Sequence, residues 1–450
     1  MWLSHIIGNL GENFKDIAGK SCSWDALRYI FGHGHRSGFF RPFVRLTLFP
    51  RNNMHTLNLT YTAPLPEVLR TEAGQLIANA EDWQTLRRPE VLKLCQTYLY
   101  GPFPGSRDVS VDLTETGTLT MAGIALVREQ YRLTTVGLPI DLVVYRPAEA
   151  TGPVPCLFSY NYKGNPTIAH DPKLTGRCYG DFKPGSRTHL HNIPAICGSG
   201  FAFATACYQD IENDANALNQ PDTTWDTGVR KALEDELPHT QWGCIGAWAW
   251  GESRIMDALA LIPAIDPRKV FFSGLSRHGK ATLWAAANDL RIAGAISNGS
   301  CAAGASLVRH VDRGTETLTD ITRFRSWFAP AYYTFAGHEN DFPIDQHFLL
   351  SLVAPRPLLI ADSADDLWAD PQGEFLGLRE ACPVYGLYGL GGLENAPYPK
   401  PYGYVWGGNV GFQLRTGDHS STPFEWYGYI QFLKRCLAGQ TDVTARNLWD

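Results

Sequence analysis

The run Val270-Phe271-Phe272-Ser273-Gly274-Leu275-Ser276-Arg277-His278-Gly279-Lys280 leads from an apolar strand, through a turn bearing one serine between glycines, into an alanine-rich helix over Ala281–Ala287. A strand apolar on both faces belongs inside a sheet that is covered on both sides. A sharp turn at its C-terminal end lifts the serine hydroxyl clear of the backbone, and the amide of the next residue can face a developing oxyanion. The usual spacing is Gly-x-Ser-x-Gly; here His278 stands at the second glycine place and Gly279 follows one residue later. A Gly-x-Ser turn also serves as a plain strand-to-helix connection, so the motif takes chemical meaning only from what lies downstream.

Downstream lie an acid and a histidine, each after an apolar run, in the order an α/β-hydrolase fold requires. Pro357-Leu358-Leu359-Ile360-Ala361 reads as a strand opening into Asp362-Ser363-Ala364-Asp365-Asp366-Leu367-Trp368-Ala369-Asp370-Pro371, a loop dense in carboxylates. Pro383-Val384-Tyr385-Gly386-Leu387-Tyr388 reads as a further strand, and a glycine-rich loop then leads to Arg415-Thr416-Gly417-Asp418-His419-Ser420 and a last helix, Pro423–Cys436. His419 is the natural base for Ser276, with an Asp of the preceding loop holding its tautomer. The plain alternative is a histidine of a surface loop.

The rest of the chain alternates as a doubly wound sheet requires, giving an α/β fold: a three-layer αβα sandwich with a mostly parallel central sheet. Gly123–Leu133 and Leu138–Tyr145 read as an antiparallel pair turning at Gly137, Val154–Tyr160 and Gly200–Cys207 as short strands, and Ala293–Ser297 as the strand after the serine helix. Gln241–Ile262 reads as a long helix with Ile245, Trp248, Ile255, Leu259 and Ile262 on one stripe, and Trp250 and Arg254 in structural roles. At 450 residues the chain fits one catalytic domain over 111–450, preceded by a helical lead-in over 54–110 that includes a helix-like segment, Asp82–Leu99. Residues 1–53 have Gly, His, Arg and Phe clusters without periodicity, and are expected to form a poorly ordered extension that contributes little to the fold.

A net charge of -6 without blocks of one sign argues against a nucleic-acid partner. The 13 Trp and 12% aromatic content fit a large core or sugar-stacking platforms. The 10 Cys are scattered, without a Cys-x-x-Cys spacing or a cluster with His, so neither a zinc site nor a disulfide framework is indicated; Cys156, Cys207, Cys244 and Cys436 read as small buried apolar residues. No cofactor or metal, no membrane span and no signal peptide is expected from the pattern, and a monomer is.

Gly274-Leu275-Ser276-Arg277-His278-Gly279-Lys280, with Gly246-Ala247-Trp248-Ala249-Trp250-Gly251-Glu252-Ser253-Arg254 before it and Asp366-Leu367-Trp368-Ala369-Asp370-Pro371 after it, resembles the glucuronoyl esterases, carbohydrate esterase family fifteen, particularly their bacterial branch. Asp82-Trp83, Arg87-Arg88-Pro89-Glu90-Val91-Leu92, Tyr100-Gly101, Asn161-Tyr162-Lys163-Gly164-Asn165 and Pro343-Ile344-Asp345-Gln346-His347 extend the likeness over roughly residues 64–436. Two departures stand out. Leu275 replaces the usual cysteine and Asp418 precedes His419, so the disulfide of the fungal members is absent. Many members carry their acid as Glu after the strand that follows the nucleophile helix, but this chain reads Ser297-Asn298-Gly299-Ser300 there. Some bacterial members instead offer the Asp of an Asp-x-Trp loop, which Asp366 matches, with Asp365 as its competitor.

The resemblance implies cleavage of the ester between a 4-O-methyl-glucuronic acid branch of glucuronoxylan and a lignin alcohol, through an acyl-enzyme on Ser276. It gives Arg277 to the oxyanion, and Lys280, Glu316 and Trp368 to sugar recognition, Lys280 from one helical turn past Ser276. The plain readings beside these are a buried ion pair for Arg277, a helix-surface charge for Lys280, a solvated loop carboxylate for Glu316 and a core aromatic for Trp368. His278, His338 and His347 read as structural or rim residues. An acetyl-xylan esterase or other carboxylesterase, and a carbohydrate-binding relative that lost its acid at Gly299, stay open. Family members are usually exported, which leaves the compartment open for a chain without an export pattern.

Overall fold

The computed structural model describes residues 57–214 and 225–447. Among them one sheet contains β1 (Ser110–Met121), β2 (Ile124–Thr135), β3 (Leu138–Pro147), β4 (Val154–Ser159), β5 (Ala202–Ala206), β6 (Ile265–Leu275), β7 (Gly294–Asn298), β8 (Leu358–Ser363), β9 (Gly403–Gly407), β10 (Val410–Arg415) and β11 (Thr444–Asn447). Their order is β1-β2-β3-β5-β4-β6-β7-β8-β10-β9-β11. The six central strands, β5 to β10 in that order, are parallel. The margins, β1-β2-β3 on one side and β9 with β11 on the other, are antiparallel.

Strand β1 went unread in the sequence because its burial alternates between exposed and half-buried, which leaves no apolar run. It and β2 turn on Ala122-Gly123, as β2 and β3 turn on Val136-Gly137; all four residues have positive φ, the signature of two-residue hairpins.

The helices that matter to the site are α1 (Arg88–Cys95), α2 (Ile193–Gly198), α3 (Cys244–Leu261), α4 (Arg277–Asn288), α5 (Gln346–Ser351), α6 (Pro371–Gly386) and α7 (Pro423–Leu437). The central strands explain the three layers. Val270 and Phe272 of β6 and Ile360 of β8 enter a core shared with α3, α4, α5 and α6, whereas Phe271, Ile296 and Leu359 enter a second core under α2 and α7. Successive side chains alternate across a sheet, so a strand clad on both faces has apolar residues at every position. The helical lead-in joins the first layer: Arg88 donates to the carbonyl of Ala287 at 2.6 Å, and His310 Nε2 lies 2.9 Å from the carbonyl of Asn58.

One reading of the sequence is overturned. Pro383-Val384-Tyr385-Gly386 is not a strand but the last turn of α6, followed by turns at Leu387 and Tyr388. Phe375, Leu378, Cys382 and Tyr385 recur at helical spacing and are buried, and this long-range packing holds a helix around Pro383 near its end. The strand that feeds the histidine loop is β10, paired in parallel with β8 from Val410–Leu358 to Arg415–Ser363. Residues 1–53 lie outside the described residues. The nine described cysteines are all free, and no described helix is long and apolar enough to cross a membrane.

Candidate active site

Four adjacent parallel strands, β6, β7, β8 and β10, end on the same rim of the sheet, where open α/β sheets bind their ligands. Ser276 follows β6 directly and holds φ +60° and ψ -128°, a conformation that a non-glycine residue keeps only where its surroundings impose it. The imposition is visible atom by atom. The Ser276 amide donates to the carbonyl of Asn298 at 2.8 Å, and its carbonyl receives the amide of Gly279 at 2.9 Å. A Cβ on Gly274 would fall 2.2 Å from the backbone carbonyl carbon of His278, and one on Gly279 2.7 Å from Ser297 Oγ. Gly279 thus does the packing work of the second glycine in the usual motif, and His278 is displaced inward. It is fully buried, stacked on Tyr162 at 4.1 Å, with burial first and the Arg277 charge second pushing its pKa far down, so it is neutral.

Asn298 and Gly299 at the end of β7 connect the two halves of the site. Asn298 holds the serine turn, while a Cβ on Gly299 would lie 3.3 Å from His419 Cε1 and 3.4 Å from its Nδ1. Asp366 Oδ2 approaches His419 Nδ1 at 2.5 Å, with side-chain exposures of 9% for the acid and 37% for the imidazole. Asp365, its neighbour, is turned to the backbone instead and accepts the Gly417 amide at 2.7 Å. The loop is closed behind them by Asp370, which caps α6 through the Gly373 amide and pairs with buried His310 at 2.9 Å.

Arg277 is ion-paired with Asp214, whose other oxygen accepts Trp327 Nε1 at 3.0 Å, and its guanidinium carbon lies 4.8 Å over the Trp327 ring. Neither Asp214 nor Trp327 carries a motif in the sequence; both reach Arg277 only through the fold. Glu316 and Trp368 are brought together: the indole N–H donates to Glu316 Oε1 at 3.0 Å, and the Trp368 ring is 43% exposed. Glu316 is buried rather than solvated. Burial, opposed first by the Lys280 charge and then by the indole N–H, lifts its carboxyl to about 7.

Lys280 differs most from the expectation of an ammonium at an open mouth. Its side chain is 1% exposed and donates to the carbonyl of Ser300, close enough to Glu316 and Glu374 for its charge to act on both carboxyls. Glu374 accepts Ser300 Oγ at 3.0 Å and the Cys301 amide at 2.9 Å; burial pushes its pKa up, and that of Asp362 at the end of β8 as well. These two buried acids were not legible as part of the site. His347 is structural, its Nε2 lying 3.0 Å from the Pro66 carbonyl. The described residues hold no group of three or more His, Cys, Asp or Glu side chains placed for a metal ion.

The strand order, the serine on its forced turn and the imidazole–carboxylate pair on the neighbouring loops define an α/β-hydrolase. A sequence model of fungal glucuronyl esterases matches residues 236–389, which include the serine turn and the Asp366 loop. A carbohydrate esterase from an unknown prokaryotic organism is 34% identical over 84% of this chain and 90% of its own length. Two solved structures agree: a glucuronoyl esterase from Solibacter usitatus (31% identity, TM-score 0.74, 82% of this chain and 97% of that one) and a promiscuous CE15 esterase from a marine bacterial metagenome (33%, 0.72, 83% and 96%). The chain belongs to carbohydrate esterase family 15, the family of the glucuronoyl esterases.

Proposed function

We propose that this chain is a serine esterase that hydrolyses the ester between 4-O-methyl-glucuronic acid branches of glucuronoxylan and lignin alcohols, acting as a monomer. The observation that carries the reading is the contact of Asp366 with His419 Nδ1 on the rim that also bears Ser276. Relatives from Podospora anserina and Hypocrea jecorina, 33% and 35% identical over 35% and 45% of this chain, are 4-O-methyl-glucuronoyl methylesterases.

With Nδ1 engaged by Asp366, Nε2 is the nitrogen left to take the Ser276 proton as Oγ forms its bond to the ester carbonyl carbon. The carbonyl π electrons move onto oxygen, which meets the amide of Arg277, the first residue of α4 and without an intrahelical acceptor. The Arg277 guanidinium, aimed by Asp214 and Trp327, adds a fixed positive charge. Collapse breaks the bond to the alcohol, which leaves with the proton from His419. A water then gives its proton to His419 and attacks the acyl carbon, and the serine departs with that proton. Glu316, held by the Trp368 indole and facing Lys280, accepts hydroxyls of the uronosyl ring, and the exposed Trp368 face packs on it.

The test is a substrate pair. The full chain should turn over benzyl or methyl glucuronate far faster than acetyl esters of the same alcohols, and a fluorophosphonate should label Ser276. Preference for acetyl would make this an acetyl-xylan esterase or other carboxylesterase, and no labelling together with xylan binding would make it an inactive relative.

A further inference from the structure

Away from the serine, a groove of about 430 Å³ runs between the β9–β11 margin of the sheet and α7. Its two walls follow from register. Tyr404 and Trp406 point to one face of β9, Gln413 pairs with Tyr404 from β10, and Arg446 and Thr444 pair with Tyr404 and Trp406 from β11, so all five share that face. On α7, Phe424, Tyr427, Gln431 and Lys434 recur at spacings of three and four and form the facing stripe. Tyr404 and Trp406 stack at 3.8 Å and 18°, and Tyr427 is 47% exposed.

Three features say what this groove takes. First, its walls combine flat aromatic faces with amides and charged side chains, which suits a ligand with apolar ring faces and polar edges rather than an apolar protein segment. Second, two lining groups that are almost fully buried, Trp406 Nε1 and Gln413 Oε1, have no hydrogen-bond partner. A buried donor and acceptor left unmade are costly, so the wall of the groove holds hydrogen-bonding capacity that the fold itself does not use. Third, the lining holds three basic side chains, Lys434, Arg435 and Arg446, against one acid, Asp442, 3.7 Å from the buried Arg435, in a chain whose net charge is -6. The end of the groove at Tyr402 and Phe424 adjoins the active site: Tyr402 Oη lies 2.6 Å from Thr416 Oγ1, on the loop that carries His419.

We propose that this groove is a second carbohydrate site that binds the main chain of an acidic β-linked xylan, so that the polymer is held beside the rim where its uronic branch reacts. The assignment of xylan rests on the proposed function; the binding of a glycan does not. Tyr427→Ala/Lys434→Ala should leave turnover of benzyl glucuronate and the melting temperature within twofold and 2 °C of the parent. In a Ser276→Ala background, retardation by glucuronoxylan in native gels should weaken at least tenfold, and with the serine intact, kcat/KM on the polymeric ester should fall at least fivefold. Unchanged xylan affinity in the variant overturns the proposal, as does a parent chain that is not retarded by xylan, or a parent dimer that the double substitution dissociates without loss of xylan affinity. If benzyl glucuronate is not hydrolysed by the parent, the proposed function falls while the gel still decides the groove.

Discussion

In the serine turn the decisive approach, Gly274 against the His278 carbonyl, is between residues four apart; in the histidine loop the decisive partners, Ser363, Asp365 and Asp366, are 52 to 54 residues away. Local sterics, completed by Ser297 and the Asn298 carbonyl of β7, specify the first, and a parallel strand pair specifies the second. The β8–β10 register ends at Ser363–Arg415, so the two loops leave the sheet together, and three successive contacts tie them: Ser363 Oγ to the Gly417 carbonyl, Asp365 to the Gly417 amide, and Asp366 to His419. Neighbouring strands lie about 4.8 Å apart, and the imidazole launched from β10, three strands from β6, leans back across β8 to the end of β7, where a Cβ on Gly299 would lie 3.3 Å from its Cε1. Gly299, with no side chain, leaves it that space.

That contrast can be broken at several points. Ser276→Ala should remove turnover by on the order of 10⁶-fold, read as single-turnover acyl transfer, with a melting temperature close to the parent's because alanine keeps the Cβ and therefore the same strained turn. Asp366→Ala should lower kcat by about 10⁴-fold while Asp365→Ala lowers it by no more than about tenfold, since only the former faces the ring nitrogen. A near-normal Asp366→Ala enzyme would sink the assignment of the acid. Gly274→Ala should cost about 100-fold in kcat and lower the melting temperature, because its methyl forces apart the strand and first helical turn that hold Ser276.

Removing the aspartate behind the arginine should show the smaller, long-range kind of effect. Asp214→Asn should reduce kcat/KM by about tenfold through kcat and not KM, if the guanidinium acts on the oxyanion. Smallest is the pH effect of Glu316. Its pKa is raised from 4.5 to about 7 by burial, so the native state holds the proton more tightly than the unfolded chain. Stability contributed by this group is therefore greatest below 4.5, falls as pH rises through the interval, and is level above about 7. Glu316→Gln should remove that slope from denaturation curves between pH 5 and 7, and a slope that persists would mean that another group carries it.

Much of the site was readable because its motifs have one local purpose. The serine turn and the histidine before the last helix could be recognised from flanking residues; the Asp-x-Trp loop, Glu316 and Trp368 were named through the resemblance to the glucuronoyl esterases, and the hydrogen bond between the last two could not be foreseen. Two neighbouring aspartates, however, look alike in a sequence; only the direction in which each loop residue points separates a partner of imidazole from a partner of backbone. The strand misread at Pro383–Tyr388 failed for a related reason, since a short apolar run has no period long enough to distinguish strand from helix end. Lys280 was expected from helical spacing to reach an open mouth but is buried, because depth depends on which distant residues, here Ser300, Glu316 and Glu374, pack around it.

By itself the sequence determined the parallel core, the turn that exposes Ser276 and the order serine, acid, histidine, because these follow from sterics and side-chain alternation over a few residues. The resemblance favoured Asp366, but only the tertiary structure shows that it and not Asp365 meets the imidazole, that Asp214 and Trp327 hold Arg277, and that an aromatic groove opens beside α7. Those depend on which distant segments the sheet brings to one rim, and no local property of either segment encodes the distance between them.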